Sequence, residues 1–86
     1  MSKDTLIDSM LTWLNGKLAP PGVTILRETP LFADGLIDSI RVLQLIAWTE
    51  QALGRQIPDV MIRMDNFQTV TRIAEVFVAE EAHAVG

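Results

Sequence analysis

The sequence predicts an all-α fold, a four-helix bundle of three main helices plus one short helix, occupying a single domain over residues 1–86. Three observations predict it. Three segments carry apolar residues at the spacing of one helix face. Proline stands only between those segments, and so does glycine apart from Gly16 in the last turn of the first. Apolar residues make up 49% of the chain while aromatics are only 6%, so Leu, Ile, Val and Met supply most of the core, a composition that suits packed helices.

The first helix is expected over Asp4 to Leu18, where Leu6, Ile7, Met10, Leu11, Trp13, Leu14 and Leu18 form the apolar stripe and Asp4 can cap the start. Trp13 falls within the stripe and reads as core. Gly16 weakens the last turn, and Pro20-Pro21-Gly22 ends the helix because proline offers no N–H and restricts its predecessor. A long connection follows to about Asp38. Loops of this length are uncommon in small domains, so Leu31 and Phe32 are expected to anchor it over the core. The second helix runs from Ser39 to about Leu53, closed by Gly54 and followed by Ile57-Pro58. A short helix is expected from Val60 to Asn66. The last begins after Thr69 as N-cap, with Val70, Ile73, Ala74 and Phe77 at i, i+3, i+4 and i+7.

Composition excludes several classes of function. A domain of 86 residues buries only about 60–65% of its unfolded surface, which leaves little room for a deep active site. The formal net charge is −4, and the seven basic residues are scattered from Lys3 to Arg72, so no basic cluster exists to hold nucleic acid. There is no cysteine, hence no disulfide, thiolate chemistry or cysteine-bound zinc. The single histidine, His83, lies in the tail, too little for a metal site or a catalytic triad. With no signal-like start and no apolar run long enough to span a bilayer, the expectation is a soluble, cytoplasmic, monomeric protein that is not an enzyme.

The segment Asp34-Gly35-Leu36-Ile37-Asp38-Ser39-Ile40 departs from a generic bundle, because a glycine-containing loop delivers an Asp-Ser pair onto the first turn of a helix. The N–H groups of a first turn lack intrahelical partners and the macrodipole is positive there, so the position favours an anion. Gly35 is expected to adopt a backbone conformation closed to other residues. A serine there could also be only an N-cap, and Asp38 a capping carboxylate.

The triplet Asp38-Ser39-Ile40, set after a long loop and at the head of the second of four helices, resembles the acyl carrier protein superfamily. The stretch Leu31 to Ser39, together with Ile57-Pro58 and Asn66-Phe67, looks most like stand-alone carriers of the D-alanyl type and the small carriers paired with free-standing adenylating ligases. The resemblance covers nearly the whole chain. It implies that Ser39 is esterified with 4′-phosphopantetheine from coenzyme A by a magnesium-dependent phosphopantetheinyl transferase, with Asp38 as the adjacent motif residue. It implies further that the arm carries acyl or aminoacyl cargo as a thioester from an adenylating ligase to an acyltransferase or synthase. Fatty acid, polyketide and nonribosomal peptide work, and secondary metabolism generally, all remain open as pathways.

A helical wheel of the second helix places Val42, Leu43, Leu45, Ile46, Thr49, Ala52 and Leu53 on the buried arc and Ile40, Arg41, Gln44, Ala47, Trp48 and Gln51 on the opposite one. Ile40, Arg41, Gln44, Ala47 and Trp48 are therefore the candidate partner face, with Trp48 either a contact residue or packed along the helix edge. Fatty-acid carriers usually present acidic groups where Arg41 and Gln44 stand, a departure that points to specialised partners. Met61 and Met64 read as adaptable packing that could also flank cargo. Two other readings stand beside the carrier: an unmodified helical interaction module docking through Ile40, Ala47 and Trp48, and, more weakly, an enzyme in its own right.

Overall fold

The computed structural model describes residues 2–85, with side chains through Val78, and among these residues all regular structure is helical. Helix α1 spans Lys3–Lys17, α2 spans Ser39–Leu53 and α3 spans Val70–Val85. His83, read above as tail, lies outside the described side chains.

Helix α1 starts one residue earlier than expected, because Ser2 and not Asp4 is the cap: its Oγ accepts the Thr5 N–H at 3.1 Å. Asp4 sits in the first turn, where its charge suits the macrodipole, and pairs loosely with Arg27 at 3.7 Å. Leu6, Met10 and Leu14 are fully buried and join one cluster with Leu45, Phe67, Val70, Ile73 and Phe77. Burying each such side chain is worth about 1.5–3 kcal/mol. Helices α1 and α3 pack directly on each other, as their shared apolar stripes require.

The long connection is fastened to the helices at three points. The Asn15 side chain pairs with the backbone of Ile25, its Oδ1 accepting the N–H at 2.7 Å and its Nδ2 donating to the carbonyl at 2.9 Å. Thr71 donates its N–H and its hydroxyl to the Arg27 carbonyl, at 3.0 and 3.1 Å. The Leu31 N–H donates to the Gln68 carbonyl at 2.8 Å. These bonds satisfy backbone groups that burial would otherwise strand, and they let Ile25, Leu31 and Ile37 enter the core. Leu31 is the buried anchor expected of it. Phe32 also packs against the core but stays half-buried, because its neighbour takes the inward position and the chain then turns through a 3₁₀ turn at Ala33–Gly35.

Gly54 ends α2 in the left-handed region at φ +74, donating to the Glu50 and Gln51 carbonyls. The Glu50 carboxylate accepts the Ile57 N–H at 2.8 Å and the Arg55 guanidinium donates to the Phe77 carbonyl at 3.1 Å, which ties the following segment down and buries Ile57. The expected short helix over Val60 to Asn66 is two 3₁₀ turns, Asp59–Met61 and Met64–Phe67. Extended backbone at Arg63 separates them, so the second turn is reoriented and drives Phe67 inward against Phe77, ring centroids 5.5 Å apart. The Asn66 amide donates to the Met61 carbonyl at 2.8 Å and braces the break. Thr69 caps α3 as expected, its Oγ1 accepting the Arg72 N–H at 3.0 Å.

Candidate functional site

The head of α2 is set by a pair of left-handed residues. Gly35 has φ +70, as the sequence suggests for a glycine in that turn, but Asp34 before it also has a positive φ of 55, which the sequence did not signal. Aspartate tolerates this region better than most side chains. The Leu36 N–H then closes the turn onto Ala33, the Ile37 N–H returns to the Leu31 carbonyl at 2.9 Å, and the buried Ile37 side chain locks the entry to the helix.

Asp38, and not Ser39, is the N-cap. Its Oδ1 accepts the Ile40 N–H at 3.1 Å and the Arg41 N–H at 2.8 Å, while Ser39 is the first helical residue and is exposed. The reading of Ser39 as merely a cap is thereby removed, since the carboxylate next to it does that work. The same bonds refine the electrostatics: two first-turn donors are already committed to Asp38, so a phosphodiester on Ser39 would gain from the macrodipole and not from those N–H groups.

Beside Ser39 lies a hollow of about 250 Å³ lined by Phe32, Ile37, Asp38, Ser39, Val42 and Met64. A smaller, almost wholly apolar furrow of about 160 Å³ continues from it along α2, sharing Phe32, Val42 and Met64 and adding Leu43, Ile46, Ile62, Arg63 and Phe67. Leu43 corrects the helical wheel. It is 64% exposed and lines this furrow instead of the core, because only Leu45 and Thr49 of α2 are fully covered and the apolar arc is broader than the surface available to bury it. With Ile40 71% and Met64 63% exposed, the serine end of α2 is ringed by uncovered apolar side chains. Of the sequence candidates, Ile40, Gln44 and Ala47 are exposed and Arg41 is half-buried. Phe32, Val42 and Leu43 lay outside the candidate set. A Phe seven residues before the serine was visible in the sequence, but its outward turn was not.

Trp48 packs along the helix edge. It is half-buried and stacked on Trp13, with ring centroids 5.5 Å apart and an 18° angle between planes. Trp13 accordingly sits at the α1–α2 edge and not in the core, since the stripe on α1 is wider than the face that α3 covers.

A family model described as a phosphopantetheine attachment site matches residues 17–77, a span that contains the Asp38-Ser39 turn, all of α2 and the start of α3. The chain belongs to the phosphopantetheine attachment site family. Among curated proteins no match was found. Members of this family carry covalently attached 4′-phosphopantetheine, so the chain is a phosphopantetheine-bearing carrier protein. The residues present suit that group: an exposed hydroxyl on a helix head, a preceding carboxylate that already caps the helix, and an adjoining hollow with apolar walls. Among the described residues no group of acidic or histidine side chains could hold a metal ion, and no helix is long and apolar enough to cross a membrane.

Proposed function

We propose that Ser39 is the residue to which 4′-phosphopantetheine is attached, and that the chain works as a single carrier domain without enzymatic activity of its own. The observation that carries this reading is the division of labour at the head of α2, where Asp38 caps the helix and leaves the Ser39 hydroxyl exposed on the first turn. When bound, the cofactor supplies a terminal thiol that holds acyl or aminoacyl cargo as a thioester. The chain supplies a rigid helix to present the arm, apolar surface from Ile40, Leu43 and Met64 for partner enzymes, and a high local concentration of cargo at each docked partner.

The partners that fit are a phosphopantetheinyl transferase, an adenylating ligase that loads cargo from the free acid, and an acyltransferase or synthase that removes it. A stand-alone, monomeric, cytoplasmic carrier serving specialised enzymes is the form this takes. The service to specialised enzymes is supported by Arg41 and Gln44 on α2, where carriers for general fatty-acid synthesis usually show acids.

Incubation with coenzyme A, magnesium and a broad-specificity phosphopantetheinyl transferase tests the reading by mass spectrometry. The expected result is a gain of one phosphopantetheinyl group, mapped to Ser39 by fragmentation and absent in Ser39→Ala. A protein that stays unmodified while folded would favour an interaction module instead.

A further inference from the structure

The charges of this chain are distributed unevenly about the Trp13–Trp48 stack. Around it is a shallow hollow of about 370 Å³ lined by Trp13, Lys17, Gln44, Ala47, Trp48 and Gln51, with no acidic residue in the lining. On α2 the stripe Arg41, Gln44, Trp48, Gln51 follows i, i+3, i+7 and i+10, so a second cation lies in line with the hollow. The one acid of α2, Glu50, is occupied with the Ile57 N–H. The acids of α1, Asp4 and Asp8, fall on the side opposite Trp13, where Asp4 meets Arg27 and Asn15 holds the long connection. Neither Lys17 nor Arg41 has an ion-pair partner among the described residues, whereas Arg27 and Arg63 do. A protein of net charge −4 thus keeps one aromatic face free of negative charge.

We propose that the α1–α2 face is a docking surface for a partner segment that presents an apolar side chain beside carboxylates. The apolar group enters the Trp13–Trp48 hollow, the carboxylates meet Lys17 and Arg41, and the Gln44 and Gln51 amides bond to the segment's backbone. Half-buried tryptophans and arginine are the side chains most often found at the energetic centre of interfaces, and cations around them select for an acidic partner. Trp13 lies before the residues matched by the family model, and Lys17 is the first of them. The carrier reading enters only in identifying the partner, as an enzyme that acts on the arm.

The test uses the full chain and two blocked peptides of the same apolar sequence, one flanked by glutamates and one by lysines, followed through the two indole N–H signals in NMR spectra. The acidic peptide is expected to shift both indole signals and the Lys17 signals, and to do so less at high salt. Lys17→Glu is expected to weaken it about three- to tenfold, the scale of one exposed ion pair lost and one repulsion gained. Lys17→Gln, which carries no new charge, gives an intermediate loss, and circular dichroism checks that both variants fold. Equal shifts with the two peptides, no shift up to millimolar peptide, or binding unchanged in Lys17→Glu would overturn the proposal. Ser39→Ala binds the acidic peptide as the wild type does, so failure of arm attachment and failure of this docking surface are told apart.

Discussion

At the residue scale, Asp38 has the largest local role at the head of α2. One carboxylate oxygen satisfies two of the four N–H groups that open the helix. Asp38→Ala should therefore lower stability by about 1 kcal/mol, within the usual ~0.5–2 kcal/mol for a lost cap, read as a shift in the urea midpoint. Asp38→Asn should recover most of it. Ser39→Ala makes a useful contrast, because the hydroxyl is exposed and serves no cap, so its stability should stay within about 0.5 kcal/mol of the wild type. Equal losses in the two variants would show that Ser39 shares the capping.

At the scale of elements, α2 separates covered from uncovered apolar residues. Leu45 is fully buried and Leu43 largely exposed, though they stand two residues apart. Leu45→Ala should cost about 2–5 kcal/mol, while Leu43→Ala should cost under about 0.5 kcal/mol, both measured by chemical denaturation. A large loss from Leu43→Ala would place it in the core after all. The connection between α1 and α2 behaves as an element too, since Asn15 holds Ile25 by two hydrogen bonds. Asn15→Ala leaves the buried Ile25 backbone without partners and should cost about 1–3 kcal/mol. Faster hydrogen exchange at the Ile25 amide would mark the release of the loop, and exchange unchanged from wild type would contradict it.

At the scale of the whole molecule, stability comes from one apolar cluster shared by all three helices and the loop, with ion pairs in a minor part. The pairs among the described residues, Arg27 with Asp4 and Arg63 with Asp65, are exposed and long, at 3.7 and 3.5 Å. Such pairs contribute roughly 0–1 kcal/mol, and added salt also screens the mutual repulsion of a chain of charge −4. Raising sodium chloride from low to moderate concentration should leave the melting temperature unchanged or slightly higher. A clear fall would mean that ion pairs matter more to the fold than their geometry suggests.

The sequence by itself determined the three main helices, the breaks at Pro20-Pro21 and Gly54, the Thr69 cap and the conformation of Gly35, because periodicity, capping and turn chemistry act over a few neighbouring residues. The Asp38-Ser39 turn was legible for the same reason, as was the phosphopantetheine family to which it points. Only the tertiary structure decided which of the two residues caps, which apolar residues are covered, and that the short fourth helix is a pair of 3₁₀ turns around Arg63. A wheel can order Leu43, Leu45, Trp13 and Trp48 by angle, but how wide an arc gets buried depends on the neighbour that packs against it. Here α1, α3 and the loop cover less of α2 than its apolar arc offers, and Leu43 is left uncovered, close to the exposed Ile40 of α2 and Met64 of the second 3₁₀ turn.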